Sequence, residues 1–450
     1  MLLPRSALPP FIRPLTAERN AAGELVLGGC KALDLAGQFG TPLLVLDEHT
    51  LREACREYVQ TLARCYPPGG RILYASKALT LCAIHALVFQ EGLGLDVVSS
   101  GEFHTALAAG VPAEACVLQG NNKTEDELRH ALQNRIGRIN VDNLDELRLL
   151  LRLARQENFA PRILLRVAPG IEAHTHDFIR TGQEDSKFGL DLKSGQLDEA
   201  LQWLKASPEV ECLGLQAHIG SQIFDAHAFE ETAKTMVGLL QEIRERHGFE
   251  AKELDLGGGL GIPYVASDDP PCISETVERL CLAVLKSCEL YHVPPPRLIL
   301  EPGRSIVGSA GVTLYATGSR KDVPGIRTYV SLDGGMGDNP RPITYGAQYV
   351  AEVAGQAAET TELVTLAGRY CESGDVLISD IELPRLQAGD ILAVYATGAY
   401  TYAMASHYNR CGRPAVVLVS DGRADIIARR ETLDDLIRLD ALPPHLRREA

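Results

Sequence analysis

The sequence predicts an α/β fold, a closed (β/α)8 TIM-like barrel joined to a mostly antiparallel β-sandwich or barrel domain, and three observations carry that prediction. Eight short β-rich runs alternate with amphipathic helical segments between residues 51 and 301. Polar and glycine-rich positions fall at the end of each run, the rim on which barrels of this class build their sites. Beyond about residue 310 the helical periodicity gives way to strands bounded by turn residues. At 450 residues the chain exceeds the size of one hydrophobic core. The expected division is a barrel over 48–309 and a β domain built from 1–47 and 310–450.

In chain order, "ELVLGG" and "PLLVLDE" within residues 20–46 are strand-like and are expected to pair into the later β domain. The segment 51–66 sets Leu51, Cys55, Tyr58, Leu62 and Tyr66 on one helical face and leads into the first barrel strand. The eight runs are 72–76, 93–98, 116–119, 138–141, 162–167, 213–218, 252–256 and 297–301. Helix starts between them carry N-terminal signals: the capping box Thr124-x-x-Glu127, and Asn143 with Glu146 three residues on. The strand ends hold Lys77, then Asp96 and Ser99, Asn121, Asp142, His174 and His176, His218, Gly257 to Gly259, and Glu301 to Arg304. Six further strands follow in "GVTLYATGSR", "RTYVSLDGG", "TELVTLAGRY", "GDVLISDIEL", "GDILAVYAT" and "PAVVLVSDG".

Hydrophobic content of 45% and charged content of 23% are those of an ordinary globular protein. A formal net charge of -15, without a Lys/Arg run, argues against a nucleic-acid partner and for a small-molecule one. Eleven cysteines without a CxxC pair suit a reducing compartment and fit neither a disulfide framework nor a zinc site, so no metal is expected. The proline-broken start and the lack of a long apolar window predict a cytoplasmic chain with no membrane partner.

Lys77 ends an apolar run, where a lysine is either a rim residue reaching outward or an amine poised to condense with a carbonyl group. Three further loops bear on the choice. "DLGGGLGI" at 255–262 brings backbone N–H groups close to an anion, "HIGS" at 218–221 adds the Ser221 hydroxyl, and "EPGR" at 301–304 adds N–H groups and a guanidinium. The glycine triplet alone is as readily a turn as a cradle, but three loops converging on one phosphate are far more specific. Glu301 closes an apolar strand, where a carboxylate forms either an ion pair or the partner of a protonated ring nitrogen. His218 is either a satisfied core histidine or a cover for a bound ring. Amine, phosphate cradle and acidic ring partner are together what pyridoxal 5'-phosphate requires.

The stretches "YASKAL", "GLGLDVVSSGEFHTALAAG", "GNNKTEDEL", "HTHDFIRTGQEDSKFGL", "HIGSQI", "LDLGGGLGIPY", "EPGRSIV", "DGGMGDNPRPITYGA", "RYCESGD" and "TGAYTYAMASHYN" resemble the diaminopimelate decarboxylases. These are alanine-racemase-like, fold-type III pyridoxal-phosphate enzymes that pair a barrel with a β domain. The resemblance spans roughly residues 40 to 430. It implies that Lys77 bonds the cofactor, His218 stacks on its ring, and Ser221, Gly259, Gly303 and Arg304 hold its phosphate. Glu301 is implied to pair with the ring nitrogen and Tyr400 to reach both cofactor and substrate. Arg304, Arg341, Tyr345 and Glu372 match substrate contacts. Cys371 matches a general acid supplied across a homodimer. The implied activity is decarboxylation of meso-2,6-diaminopimelate to L-lysine and carbon dioxide, the last step of lysine biosynthesis.

Two arginines, a phenol and a carboxylate also suit, on chemical grounds, a substrate whose far end is a second amino-acid head. Decarboxylases of D-lysine, D-ornithine, arginine or a carboxy-polyamine on the same scaffold would leave Arg341 and Glu372 poorly employed. A catalytically silent homologue would have no use for both Lys77 and Cys371. Alanine racemases set an arginine at the ring nitrogen, where this sequence has Glu301.

Overall fold

The computed structural model describes residues 12–170, 187–356 and 360–447. The chain divides into two compact units, His49–Ala310 and Met1–Glu48 with Gly311–Ala450.

The first unit is a barrel of eight parallel strands: Gly70–Ala75, Gly94–Val97, Cys116–Leu118, Arg138–Val141, Arg162–Ala168, Glu211–Gln216, Glu253–Asp255 and Arg297–Leu300. Each strand pairs in parallel with the next, and the eighth returns to the first through Leu298 opposite Gly70, so the sheet closes. A ninth short strand, Leu190–Asp191, adds to the fifth. The expected helix before the first strand runs Glu48–Cys65, with Leu51, Cys55, Tyr58 and Leu62 buried. Both sequence caps form: Thr124 and Glu127 close a reciprocal capping box, and the Asn143 side chain accepts from the Glu146 N–H.

Leu73, Val117, Leu164, Leu213 and Ile299 form a buried apolar cluster drawn from five of the eight strands. Each such side chain stabilises the fold by about 1.5–3 kcal/mol. Because side chains alternate along a strand, the same face recurs two residues on. From Val117, Leu164 and Ile299 that step reaches Gln119, Arg166 and Glu301, all buried. The barrel is therefore apolar at mid-height and polar at the C-terminal ends of its strands. At the opposite ends, Arg138 opens the fourth strand, Glu253 opens the seventh, and the buried guanidinium donates two hydrogen bonds of 2.5 Å to the carboxylate.

In the second unit one sheet runs in the order Val376–Pro384, Thr361–Ala367, Arg327–Leu332, Gly311–Val323, Leu43–Asp47, Ala415–Ser420, Arg423–Ala428. Ile391–Tyr395 also pairs with Gly311–Val323 and carries Ala351–Val353 on its other side. Pairing is antiparallel except between Arg327–Leu332 and Thr361–Ala367 and between Leu43–Asp47 and Ala415–Ser420. "PLLVLDE" thus does join this unit, as a strand buried along its whole length. "ELVLGG" instead supplies Leu25–Leu27 of a separate three-stranded sheet. Leu43, Val45, Val312, Leu314, Tyr395 and Val417 form the core. The strands Ala351–Val353 and Arg423–Ala428 were not expected from the sequence. The first is too short to show alternation, and the second is a largely exposed edge without an apolar face. Among the described residues no helix is long and apolar enough to cross a membrane.

Candidate active site

Glu301 follows the eighth barrel strand and is buried, and two amides hold it. Gln119 Nε2, after the third strand, donates to Oε1, and Gln216 Nε2, ending the sixth, donates to Oε2 at 3.2 Å. The Asp255 carboxyl lies within hydrogen-bonding range of Glu301. Its Oδ1 accepts the Gly257 N–H at 2.9 Å. Burial, and then the charge of Glu301, push Asp255 well above the usual carboxylate range. Asp96, in the second strand next to its end, is raised by the same two causes, with Lys77 opposing. Arg166 faces these acids from the fifth strand, with Nη1 3.7 Å from Asp142 and the Phe188 ring 4.4 Å from the guanidinium.

A second group forms where the loops after strands six, seven and eight meet. Ile223 donates its N–H to the Gly259 carbonyl, and Gly261 donates to the Ile223 carbonyl, so the two loops continue as a short parallel bridge. Gln222 fastens them further, accepting the Ile262 N–H and donating to the Ile262 carbonyl. The glycines are needed for the close approach. A Cβ at Gly258 would stand 2.1 Å from the Glu301 carbonyl oxygen, and Gly259 holds φ +123. Buried Arg304 donates to the Ser221 hydroxyl at 3.0 Å and to the Tyr264 hydroxyl at 2.6 Å. Half-buried His218 accepts the Gly258 N–H on Nδ1 at 3.3 Å. Burial, with Lys77 and Arg166 nearby, pushes this imidazole well below its ordinary value, so it is neutral with its proton on Nε2.

Lys77 sits in the 3-10 turn Ser76–Ala78 that ends the first strand. Its neighbours Ser76 and Ala78 are buried, whereas its own side chain is exposed, close enough for its charge to act on Asp96, Glu102 and His218. The apolar run before it therefore does not draw the amine into the core. Gly303 packs on the same turn: its Cβ would lie 3.0 Å from that of Ala75 and 3.1 Å from that of Ala78.

The remaining sequence candidates lie in the second unit. Buried Arg341 opens the helix Arg341–Tyr345 and donates to the Tyr349 hydroxyl at 2.7 Å, and half-buried Tyr345 ends that helix. Cys371 and Glu372 are exposed in the connection between Thr361–Ala367 and Val376–Pro384. The Cys371 N–H donates to Asn409 Oδ1 at 2.9 Å. Asp375 pins this loop by accepting the Met336 and Tyr370 N–H groups. Tyr400, half-buried, holds φ +59, a strained value for a tyrosine.

His174 and His176 lie outside the described residues. The sequence reading missed Gln119, Arg166, Gln216, Asp255 and Tyr264. Four of these carried a signal: a polar residue interrupting an apolar strand near its C-terminal end.

The barrel mouth fits pyridoxal phosphate. It presents an accessible lysine amine, a glycine-lined cradle with a buried guanidinium, a neutral imidazole, and buried acids suited to a cationic ring nitrogen. Among the described residues, Asp96 Oδ1 and the Oε1 atoms of Gln119 and Gln216 are buried without a hydrogen-bond partner, which marks the place as polar and incompletely satisfied.

Residues 48–308 match the family model described as "Pyridoxal-dependent decarboxylase, pyridoxal binding domain". The chain is 48% identical to a diaminopimelate decarboxylase of Synechocystis sp. over 442 residues, covering 96% of this chain and 93% of that protein. It is 48% identical to the Bacillus subtilis enzyme of the same name over 426 residues, with 94% and 97% covered. The crystal structure of a diaminopimelate decarboxylase from M. jannaschii in co-complex with L-lysine superposes with a TM-score of 0.90 at 36% identity, covering 96% of this chain and 99% of that one.

Proposed function

The chain belongs to the pyridoxal-dependent diaminopimelate decarboxylases, and from that membership we propose that it converts meso-2,6-diaminopimelate to L-lysine and carbon dioxide, completing lysine biosynthesis. The observation that carries this reading is the coincidence, at one barrel mouth, of the Lys77 amine, the Ser221–Arg304 pair beside the glycine loop, and Glu301. Bound pyridoxal phosphate supplies an electron sink for the pair left when carbon dioxide departs.

Lys77 would hold the cofactor through its side-chain amine, which suits a carbonyl group. Ser221, Gly259, Gly303 and Arg304 hold the phosphate, with Arg304 also serving the substrate. Glu301 keeps a proton on the ring nitrogen, and His218, being neutral, covers the ring without opposing that charge. Arg341 and Tyr345 bind the distal carboxylate, Glu372 the distal ammonium, and Tyr400 both cofactor and substrate. The Cys371 thiol, or a water, would deliver the proton to the α-carbon, with Cys371 serving the barrel of a second copy in a homodimer. The barrel, 48–309 by the sequence boundary, is assigned the cofactor, and the β domain, 1–47 with 310–450, carries Arg341, Tyr345, Cys371, Glu372 and Tyr400.

The cytoplasm is the assigned compartment, supported by eleven cysteines spaced for neither disulfides nor zinc. The acidic net charge supports a small-molecule partner over nucleic acid.

The test is release of carbon dioxide from meso-diaminopimelate, D-lysine, D-ornithine and L-arginine by the purified, cofactor-loaded protein. Release from the first, with lysine as co-product, is expected. Preferential release from any of the others would reassign the substrate, and release from none would leave a silent cofactor-binding protein.

A further inference from the structure

Glu301 is fixed by more than its position at a strand end, and the groups around it divide by what they can donate. Each of its oxygens accepts from a different buried amide, Oε1 from Gln119 and Oε2 from Gln216. The opposite amide orientation would set Oε1 of each glutamine against a carboxylate oxygen, so both oxygens of Glu301 act as acceptors. Asp255 is different. Its Oδ1 takes the Gly257 N–H, while its Oδ2 is buried with no donor among the described residues. Two carboxyls within hydrogen-bonding range are repulsive unless a proton lies between them. With Glu301 already supplied with donors, that proton belongs to Asp255. Among the described residues, Asp96 and Arg166 also face the pair, one of each sign, which leaves the assignment to the local donors.

We propose that Gln119, Gln216 and a protonated Asp255 are positioning residues that donate to Glu301 and keep it aimed at the cofactor ring nitrogen. Asp255 acts here as a hydrogen-bond donor and not as a second negative charge. The inference rests on the function proposed above.

The experiment titrates apo-protein with pyridoxal phosphate and follows the ring nitrogen of 15N-labelled cofactor by NMR. Gln119→Met with Gln216→Met keeps side-chain volume and removes both amide donors. It is expected to weaken cofactor binding by about tenfold or more, as for lost hydrogen bonds to a charged group, and to deprotonate the ring nitrogen. Asp255→Asn places an amide donor where the acid proton stands and keeps an oxygen for Gly257, so affinity within about threefold and a protonated nitrogen are expected. Asp255→Leu should behave like the double glutamine variant. Loss in Asp255→Asn equal to that in Asp255→Leu would show that the charge of Asp255 is what matters and overturn the proposal. So would a double glutamine variant with unchanged affinity and ring protonation. Failure of the unsubstituted chain to take up the cofactor would overturn the function itself, a result distinct from either.

Discussion

Lys77 separates two demands that its sequence context combines. The run "ILYAS" is buried to the last residue, yet the lysine after it is exposed, because the 3-10 turn Ser76–Ala78 lifts it off the strand while its flanking residues stay in the core. An amine so placed keeps access to a carbonyl compound and to the charges of Asp96 and Glu102. Replacing Lys77 by Ala should abolish the visible absorbance of the bound cofactor and any borohydride-fixed adduct, read by spectrophotometry and intact mass. Asp338 makes a different case in the second unit. Burial, aided by the charges of Asp333 and Asp375, pushes it up to about 7, against the Tyr315 hydroxyl and the Gly335 N–H, which lower it. For an acid raised in the folded state, the native form holds more protons between the unfolded value near 4 and 7. Stability therefore falls as pH rises through that window and levels off above it, by at most about 4 kcal/mol. Asp338→Asn should flatten the slope, seen as a stability difference from the parent chain that grows from pH 4 to 7 in denaturant titrations.

Among the elements, the barrel strands carry chemistry at one end and stability at the other. Arg138 and Glu253 stand at the N-terminal ends of the fourth and seventh strands, both buried and doubly hydrogen-bonded. Glu253→Ala leaves the guanidinium uncompensated and should cost about 3–5 kcal/mol, whereas Arg138→Met with Glu253→Leu should cost less than either single change. Denaturant midpoints of the three variants check this. All eight strands were legible in the sequence because their apolar runs are short and regularly spaced. Their polar ends were legible only in part. Lys77 and Glu301 stand out as charges closing apolar runs, but Gln119, Gln216 and Asp255 gain meaning only from the closed sheet, which sets side chains of the third, sixth and seventh strands against the eighth. The exposed edge Arg423–Ala428 was missed because it buries no face and so carries no apolar alternation of its own.

At the scale of the whole molecule, Lys77 and Cys371 belong to different compact units, and both side chains are exposed. A site shared between copies predicts complementation. Chains carrying Lys77→Ala and chains carrying Cys371→Ala, each nearly inactive alone, should regain part of the activity when co-expressed, up to about a quarter of the parent's for random pairing. Verified mixed dimers without recovery would rule out sharing. The strand Leu43–Asp47 lies between Gly311–Val323 and Ala415–Ser420, so a strand made early is flanked by strands made late. On the ribosome, at about 5–20 residues per second, Leu43–Asp47 waits roughly 20–75 seconds for the second of them. The barrel strands are all synthesised within that interval. Until then Leu43, Leu44, Val45 and Leu46, all buried in the finished sheet, have no strand to cover them, a stretch that a chaperone would shield.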